Sequence, residues 1–218
     1  VNGSRLSKGQ HGVEIFPGMC DCGMVYLSPR WSKEQCVEYY TKPYDDIYRL
    51  ELKPDLGVEG VEKNAEEILM RLRRNLSFGE SMNILDIGSA FGNALKYYRE
   101  KISKAKIYGI ESSVEGGRIL TNDFGGTLIA EDFDDEQWAI DYKSTFNLIT
   151  MRHVFEHLLY PNDALRKLKL ALKQDGIIYI SLPDMLHPRI KLRDYDEWCD
   201  YWFRVVHPYY YNKYTLAK

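Results

Sequence analysis

The chain has 218 residues, of which 44% are hydrophobic and 28% charged, and a formal net charge of -3. That length suits one sizeable α/β core with a small appendage, and a charge so close to balance gives no reason to expect nucleic acid as a partner. No apolar run reaches the roughly 18 residues that a membrane helix needs, and the opening "VNGSRLSKGQHG" lacks the apolar core of a signal peptide. A cytoplasmic protein that does not enter a membrane is therefore expected.

The four cysteines, Cys20, Cys22, Cys36 and Cys199, are too few and too uneven for a disulfide framework. Reduced thiols are the expectation. "CDCG" offers half of a zinc site, but its spacing is C-x-C and no second pair lies upstream, so a turn with two small buried thiols is favoured over metal.

In chain order, residues 1–57 read as an irregular lead-in or lid segment punctuated by Gly and Pro. Within it "EYYTKPYDDIYRL" suits a short helix broken at Pro43. Residues 58–218 read as the main domain. Its first element is an amphipathic helix over 58–76, with Val61, Ala65, Ile68, Leu69 and Leu72 at helical spacing.

Five short apolar runs follow, "NILDIG", "KIYGIE", "TLIAED", "FNLITM" and "GIIYISLP", each strand-like in length and β-branched content and separated by helical stretches. Strands alternating with helices imply right-handed crossovers and a doubly wound, mostly parallel α/β sheet with helices on both faces. In "PNDALRKLKLALKQDG", Pro161 and Asp163 suit a first turn, Leu165, Leu168 and Leu172 share a face, and Gly176 suits a C-terminal cap. Beyond Pro183 the chain is aromatic and basic, with no strand pair assigned.

The segment "NILDIGSAFGNALKYY" carries most information: a strand ending at Asp86, a turn from Gly88 through Ser89 to Gly92, and a helix beginning near Asn93. In a doubly wound sheet the ligand sits at the carboxyl ends of the strands, where a glycine turn lets it approach the backbone. Dinucleotide sites use G-x-G-x-x-G to hold a pyrophosphate, whereas here the spacing is G-x-x-x-G behind a carboxylate. That carboxylate repels a pyrophosphate and suits a ligand carrying an ammonium and a sulfonium, which points to S-adenosylmethionine.

With "LDIGxxxG" and an "EH" after the fourth strand, the sequence resembles the class I S-adenosylmethionine-dependent methyltransferases, in particular the small-molecule methyltransferases of type 11 and type 23. The resemblance covers about residues 83–184, with weaker echoes in "CGMVYLSP" and "VVHPYYY". It implies a Rossmann-like methyltransferase fold. The family usually has glycine where Ala90 stands.

By matching positions it also implies the cofactor site. Asp86, Gly88, Ser89 and Gly92 form the first motif, and Glu111 accepts from the ribose hydroxyls. Asp132 and Phe133 meet the adenine, while the backbone of Met151 and Arg152 meets the methionine portion. Solvated-loop and strand-end readings of Glu111, Asp132 and Phe133 stay open.

His153, Glu156 and His157 match H-x-x-E-H, which in zinc peptidases lies within a long helix. Here it starts at a strand end, which disfavours that reading. The resemblance implies that His157, with His153 beside it, acts on the acceptor as base or orienting group; a structural helix cap is the bland option. In a minority of relatives E-x-x-E-H holds a divalent metal. His153 replaces the first glutamate, and His207 could be a further ligand. A metal is chemically reasonable here but not favoured, and no metal ligand is assigned.

Methyl transfer needs mainly alignment of the acceptor with the sulfonium methyl. The acceptor is expected to be a small molecule methylated on a hydroxyl: a sugar, quinone-like or natural-product compound. Tyrosines between Tyr39 and Tyr48, together with Trp198, Trp202 and Tyr209 to Tyr211, suit a pocket wall or ordinary packing. Arg189, Lys191 and Arg193 hint at an anionic acceptor but suit a solvated face better.

The fold normally continues past its fifth strand into an antiparallel hairpin, for which little chain remains, so a missing hairpin or a partner at that edge is expected. A homodimer stays open. A non-catalytic S-adenosylmethionine-binding protein is the second functional reading and an NAD-dependent oxidoreductase the third.

Overall fold

The computed structural model describes residues 16–41, 58–75, 81–102, 104–186 and 204–217. Of these, residues within 38–152 and 160–180 make one compact unit, and residues within 1–37, 153–159 and 181–218 make another.

The larger unit is built on the five apolar runs. They form β3 (Asn83–Ile87), β4 (Lys106–Ile110), β5 (Thr127–Ala130), β6 (Phe146–Arg152) and β7 (Leu172–Ser181), in the order β5-β4-β3-β6-β7. The β3–β4, β3–β6 and β4–β5 pairs are parallel. β3 and β6 are buried along almost their whole length, as strands covered on both faces must be. Because β4 and β6 flank β3 on opposite sides, the chain reverses direction across the sheet beside β3, the place where such sheets bind ligands.

The helix expected over 58–76 is α2 (Val58–Leu72). Its Ala65, Ile68, Leu69 and Leu72 pack in one cluster with Ala94, Leu95 and Tyr98 of α3 (Asn93–Lys101) and with Ile84, Ile107 and Leu148 of the sheet; Val61 is partly buried against it. Two short helices, α4 (Val114–Arg118) and α5 (Gln137–Asp141), lie in the crossovers after β4 and β5. α6 (Pro161–Ala171) starts with Pro161 in its first turn, as its missing N–H allows.

Two details of that last helix differ from the expectation. Its buried face is Ala164, Leu168 and Ala171, while Leu165 is exposed and Leu172 has left the helix. Gly176 lies inside β7 and caps nothing. A Cβ there would sit 2.8 Å from Leu172 and 2.9 Å from the Phe146 carbonyl oxygen, so close packing rather than turn geometry accounts for the glycine.

The smaller unit corrects the expectation of an irregular N-terminal segment and of no strand pair beyond Pro183. β1 (Pro17–Met19) and β2 (Val25–Leu27) form an antiparallel pair, and β2 also pairs with β8 (Tyr209–Tyr210), with Tyr26 opposite Tyr209. Leu27, Val205 and Tyr210 form its buried cluster. The turn between β1 and β2 holds Cys20 and Cys22, which are disulfide-bonded rather than reduced; their Cα atoms lie 5.3 Å apart, within bridging reach. Cys20 is half-buried and Cys22 exposed, so the expected buried thiols are corrected too.

α1 (Lys33–Thr41) covers the first residues of the tyrosine-rich stretch. The break at Pro43, Tyr44 to Tyr48, Arg189, Lys191, Arg193, Trp198 and Trp202 lie outside the described residues. Among the described residues no helix is long and apolar enough to cross a membrane.

Candidate functional site

Parallel register places Asp86 of β3 beside Thr150 of β6 and Gly109 of β4. Asp86 is buried. The Thr150 hydroxyl donates to its Oδ1 at 2.6 Å, and an Arg152 guanidinium nitrogen lies 3.5 Å from Oδ2. Burial nevertheless pushes the Asp86 carboxyl above its ordinary range, outweighing Arg152 and Thr150. Tyr98 reaches the same region from α3, and burial together with the Asp86 charge pushes its phenol up.

After β3 the backbone turns through three left-handed residues, Gly88 (φ 66°), Ala90 (φ 48°) and Gly92 (φ 74°). The positive φ at Ala90 explains why a glycine is at home there. Its N–H donates to Glu111 Oε2 at 2.6 Å, and the Ser113 N–H donates to Oε1 at 2.9 Å, so the buried Glu111 at the end of β4 pins the turn. We expect Ala90→Gly to leave stability within ~1 kcal/mol, because relief of strain and greater unfolded-state freedom offset each other. Ala90→Val should cost more than ~1 kcal/mol, since β-branched residues resist positive φ. Urea unfolding measures both.

Four of the turn's five amides face the protein. Gly88 and Ser89 donate to the Ile110 carbonyl, Ala90 to Glu111 and Gly92 to the Ser89 carbonyl. An anion nest needs such amides to point outward. What the region presents instead is two buried carboxylates and three buried polar atoms with no hydrogen-bond partner among the described residues: Ser89 Oγ, Tyr98 OH and Arg152 Nε. Gly109 leaves the space for Ser89, since a Cβ there would stand 2.8 Å from its Oγ. Gly116 does the same for the turn, a Cβ there falling 2.4 Å from the Ala90 carbonyl oxygen.

Asp132 and Phe133 follow β5. Asp132 is exposed and accepts from the Asp134 N–H at 2.8 Å, a local turn contact. Phe133 is half-buried, its ring 5.6 Å from that of Trp138, and Lys167 lies 4.5 Å from the ring centre. Met151 is fully buried at the end of β6. Sequence reasoning assigned Arg152 by its backbone and missed that its side chain turns onto Asp86. It also missed Thr150 and Tyr98, for which only the apolar strand and helix patterns gave a signal.

In the smaller unit, the H-x-x-E-H segment is no α-helix. His153 is exposed with φ 52°, its N–H donating to the Ser181 carbonyl, and a single tight turn covers Phe155–His157. Glu156 is buried. Its Oε1 lies 3.5 Å from His153 Nδ1, and its Oε2 has no hydrogen-bond partner among the described residues.

His157 Nδ1 lies 3.1 Å from the Val206 carbonyl oxygen. A carbonyl only accepts, so Nδ1 carries the hydrogen and Nε2 the lone pair. The His207 ring stands 4.5 Å from that of His157, edge-on. Burial pushes both imidazoles below their usual range, His207 to about 2, and the Arg204 and neighbouring His charges add to this. One ligand-capable atom from each of Glu156, His157 and His207 lies within 4.8 Å of the others.

A family model described as "Methyltransferase domain" matches residues 61–218. No curated protein sequence matches the chain. Among solved structures, the plantazolicin methyltransferase BpumL in complex with SAH is similar at 17% identity, a TM-score of 0.56 and coverage of 78% of this chain and 67% of that one. A SAM-dependent methyltransferase from Archaeoglobus fulgidus is similar at 18% identity, TM-score 0.51 and coverage of 70% and 65%. Coclaurine N-methyltransferase bound to N-methylheliamine and SAH is similar at 16% identity, TM-score 0.53 and coverage of 73% and 46%. The chain spans about half to two thirds of the length of other solved structures it matches. With the glycine turn and its two carboxylates on a five-stranded sheet and a family match over most of its length, the chain belongs to the class I S-adenosylmethionine-dependent methyltransferases, in the methyltransferase-domain family of type 23.

Proposed function

We propose that the protein transfers a methyl group from S-adenosylmethionine to a hydroxyl of a small-molecule acceptor. The observation that carries the cofactor is the acidic turn, where the amides of Gly88, Ser89, Ala90 and Gly92 are engaged by protein acceptors while Asp86 and Glu111 stand buried beside it. Such a site repels a pyrophosphate and accepts a cationic ligand with donor hydroxyls. Solved structures of similar fold carry the product of that cofactor, S-adenosylhomocysteine.

In this reading Asp86 meets the positively charged methionine end and Glu111 the ribose. Gly88, Ser89 and Gly92 give close backbone approach, with Ser89 Oγ and Tyr98 OH among the buried groups that gain partners. Asp132 and Phe133 flank the adenine, and the ends of Met151 and Arg152 meet the methionine portion. When bound, the cofactor supplies an activated methyl group. The chain's own task is to bind it, exclude water and align the acceptor.

His157 handles the acceptor side, positioned by the Val206 carbonyl, and His153 supports it through Glu156. The small-molecule acceptor is supported by the near-balanced charge, which offers no field for a polyanion.

Calorimetric titration with S-adenosylhomocysteine and with NAD tests the cofactor, and binding of NAD alone would overturn the proposal. Label from methyl-labelled cofactor incubated with cell extract should appear in the low-mass fraction. Label confined to protein or nucleic acid would remove the small-molecule reading. Binding of S-adenosylhomocysteine without any transfer would favour a non-catalytic cofactor-binding protein.

A further inference from the structure

Outside the glycine turn, the densest group of ligand-capable side chains among the described residues is Glu156, His157 and His207 in the smaller unit. We propose that these three side chains form a binding site for one divalent transition-metal ion of the zinc class. The inference shares His157 with the methyl-transfer reading and would change its part there from acceptor contact to metal ligand; its test reads metal uptake and not turnover, so the two readings can fail separately.

Three ligand-capable atoms from three side chains lie within 4.8 Å of one another, drawn from the turn after β6 and from the segment leading into β8. A bound ion with ligands about 2.0–2.2 Å away needs them only modestly closer. Two imidazoles and one carboxylate suit zinc, iron or manganese, and the two nitrogens exclude a preference for magnesium or calcium.

An independent observation points to a cationic ligand. Glu156 is only 3% exposed, and its Oε2 is buried with no hydrogen-bond partner among the described residues. A buried carboxylate oxygen left without a donor is costly, and a cation removes that cost. The adjoining cleft, lined by Glu156, His207, Met185 and Tyr211, has a volume of about 10 Å³. That is the size of an ion or one water and far below that of an organic ligand.

The surrounding groups hold the ligands in the form a metal requires. His157 donates its Nδ1 hydrogen to the Val206 carbonyl, which fixes the tautomer and leaves the lone pair on Nε2. His153 Nδ1, 3.5 Å from Glu156 Oε1, orients the carboxylate from behind. Three protein ligands leave a fourth position open, as in zinc sites that bind an exchangeable oxygen. The Tyr211 hydroxyl, buried and without a partner among the described residues, lines the same cleft.

The test uses the full chain stripped of metal by a chelator and titrated with zinc chloride alone, read by calorimetry and by metal content after desalting. Stoichiometric zinc uptake is expected. His207→Ala and Glu156→Gln should each weaken it more than ~100-fold, and His153→Ala about tenfold, the effect of losing an outer-shell partner. Cys20→Ser with Cys22→Ser should leave it unchanged. Absence of uptake, or uptake lost with the two cysteines and kept in His207→Ala, overturns the proposal.

Should the ligand variants fail to fold by circular dichroism, cobalt loaded into the parent chain decides the matter. A d–d spectrum without thiolate charge-transfer bands supports nitrogen and oxygen ligation. Thiolate bands, or no spectrum, count against it.

Discussion

Replacing Asp86 with asparagine is expected to cut the affinity for S-adenosylhomocysteine about 10- to 100-fold, the loss of a charge-assisted interaction, without lowering the melting temperature. The two effects separate because Asp86 serves the ligand at the expense of the fold. Its carboxylate is buried, and desolvation outweighs the help of Arg152 at 3.5 Å and of the Thr150 hydroxyl at 2.6 Å. Asparagine keeps an oxygen to accept from Thr150, removes the charge and puts an amide donor in place of the oxygen that faces Arg152. Arg152 retains 18% side-chain exposure, so water can still reach it.

The pH dependence follows from the same burial. The folded value of Asp86 lies above the ordinary 3.8, so between the two the native state holds more protons than the unfolded chain. Stability from this group is full below the ordinary value and is lost as pH rises through the raised one. An asparagine side chain does not titrate, so the Asp86→Asn protein should gain stability relative to its parent as pH rises across that window. Melting temperatures of both proteins at a series of pH values measure this. A variant that melts well below its parent at every pH would show instead that the Asp86 to Arg152 pair stabilises the fold.

The parts of this molecule that were legible in the sequence are those set by local pattern. The five strands of the large sheet stand where their apolar runs lie, and the helix Val58–Leu72 buries the residues whose spacing assigned it. The turn from Gly88 to Gly92 was readable because positive φ selects small residues.

What escaped depends on distant partners. β1 and β2 have three residues each, too few for alternation to show, and the third strand of their sheet lies at Tyr209–Tyr210, far along the chain. Arg152 meets a carboxylate 66 positions away, and nothing local to "TMRH" announces it. Gly176 resembled a helix cap because helix ends and tight strand packing both select glycine, and only the neighbours Leu172 and Phe146 tell them apart. His207 suited a further metal ligand by residue type, but its place at the edge of the His157 ring is a tertiary fact.

The largest expected effect belongs to His157. His157→Gln should reduce turnover by about 100-fold or more, the usual range for removing a positioned acid–base or orienting group, and leave S-adenosylhomocysteine affinity within about twofold. The division follows from how the chain divides its tasks. The groups assigned to the cofactor, Asp86, the glycine turn, Glu111, Asp132, Phe133, Met151 and Arg152, all belong to the larger unit, whereas His157 and its contacts with Val206, His207 and Glu156 belong to the smaller.

Glutamine keeps an N–H donor for the Val206 carbonyl, so the backbone there loses no partner and the fold should hold. What glutamine lacks is a ring lone pair on the far side of that donor, the feature that the Val206 contact fixes in place. Steady-state kinetics with the cofactor varied, beside direct binding, will read the separation. Parallel losses in affinity and turnover would place His157 among the cofactor contacts. Unchanged turnover would make it a packing residue of the turn and remove it from the chemistry.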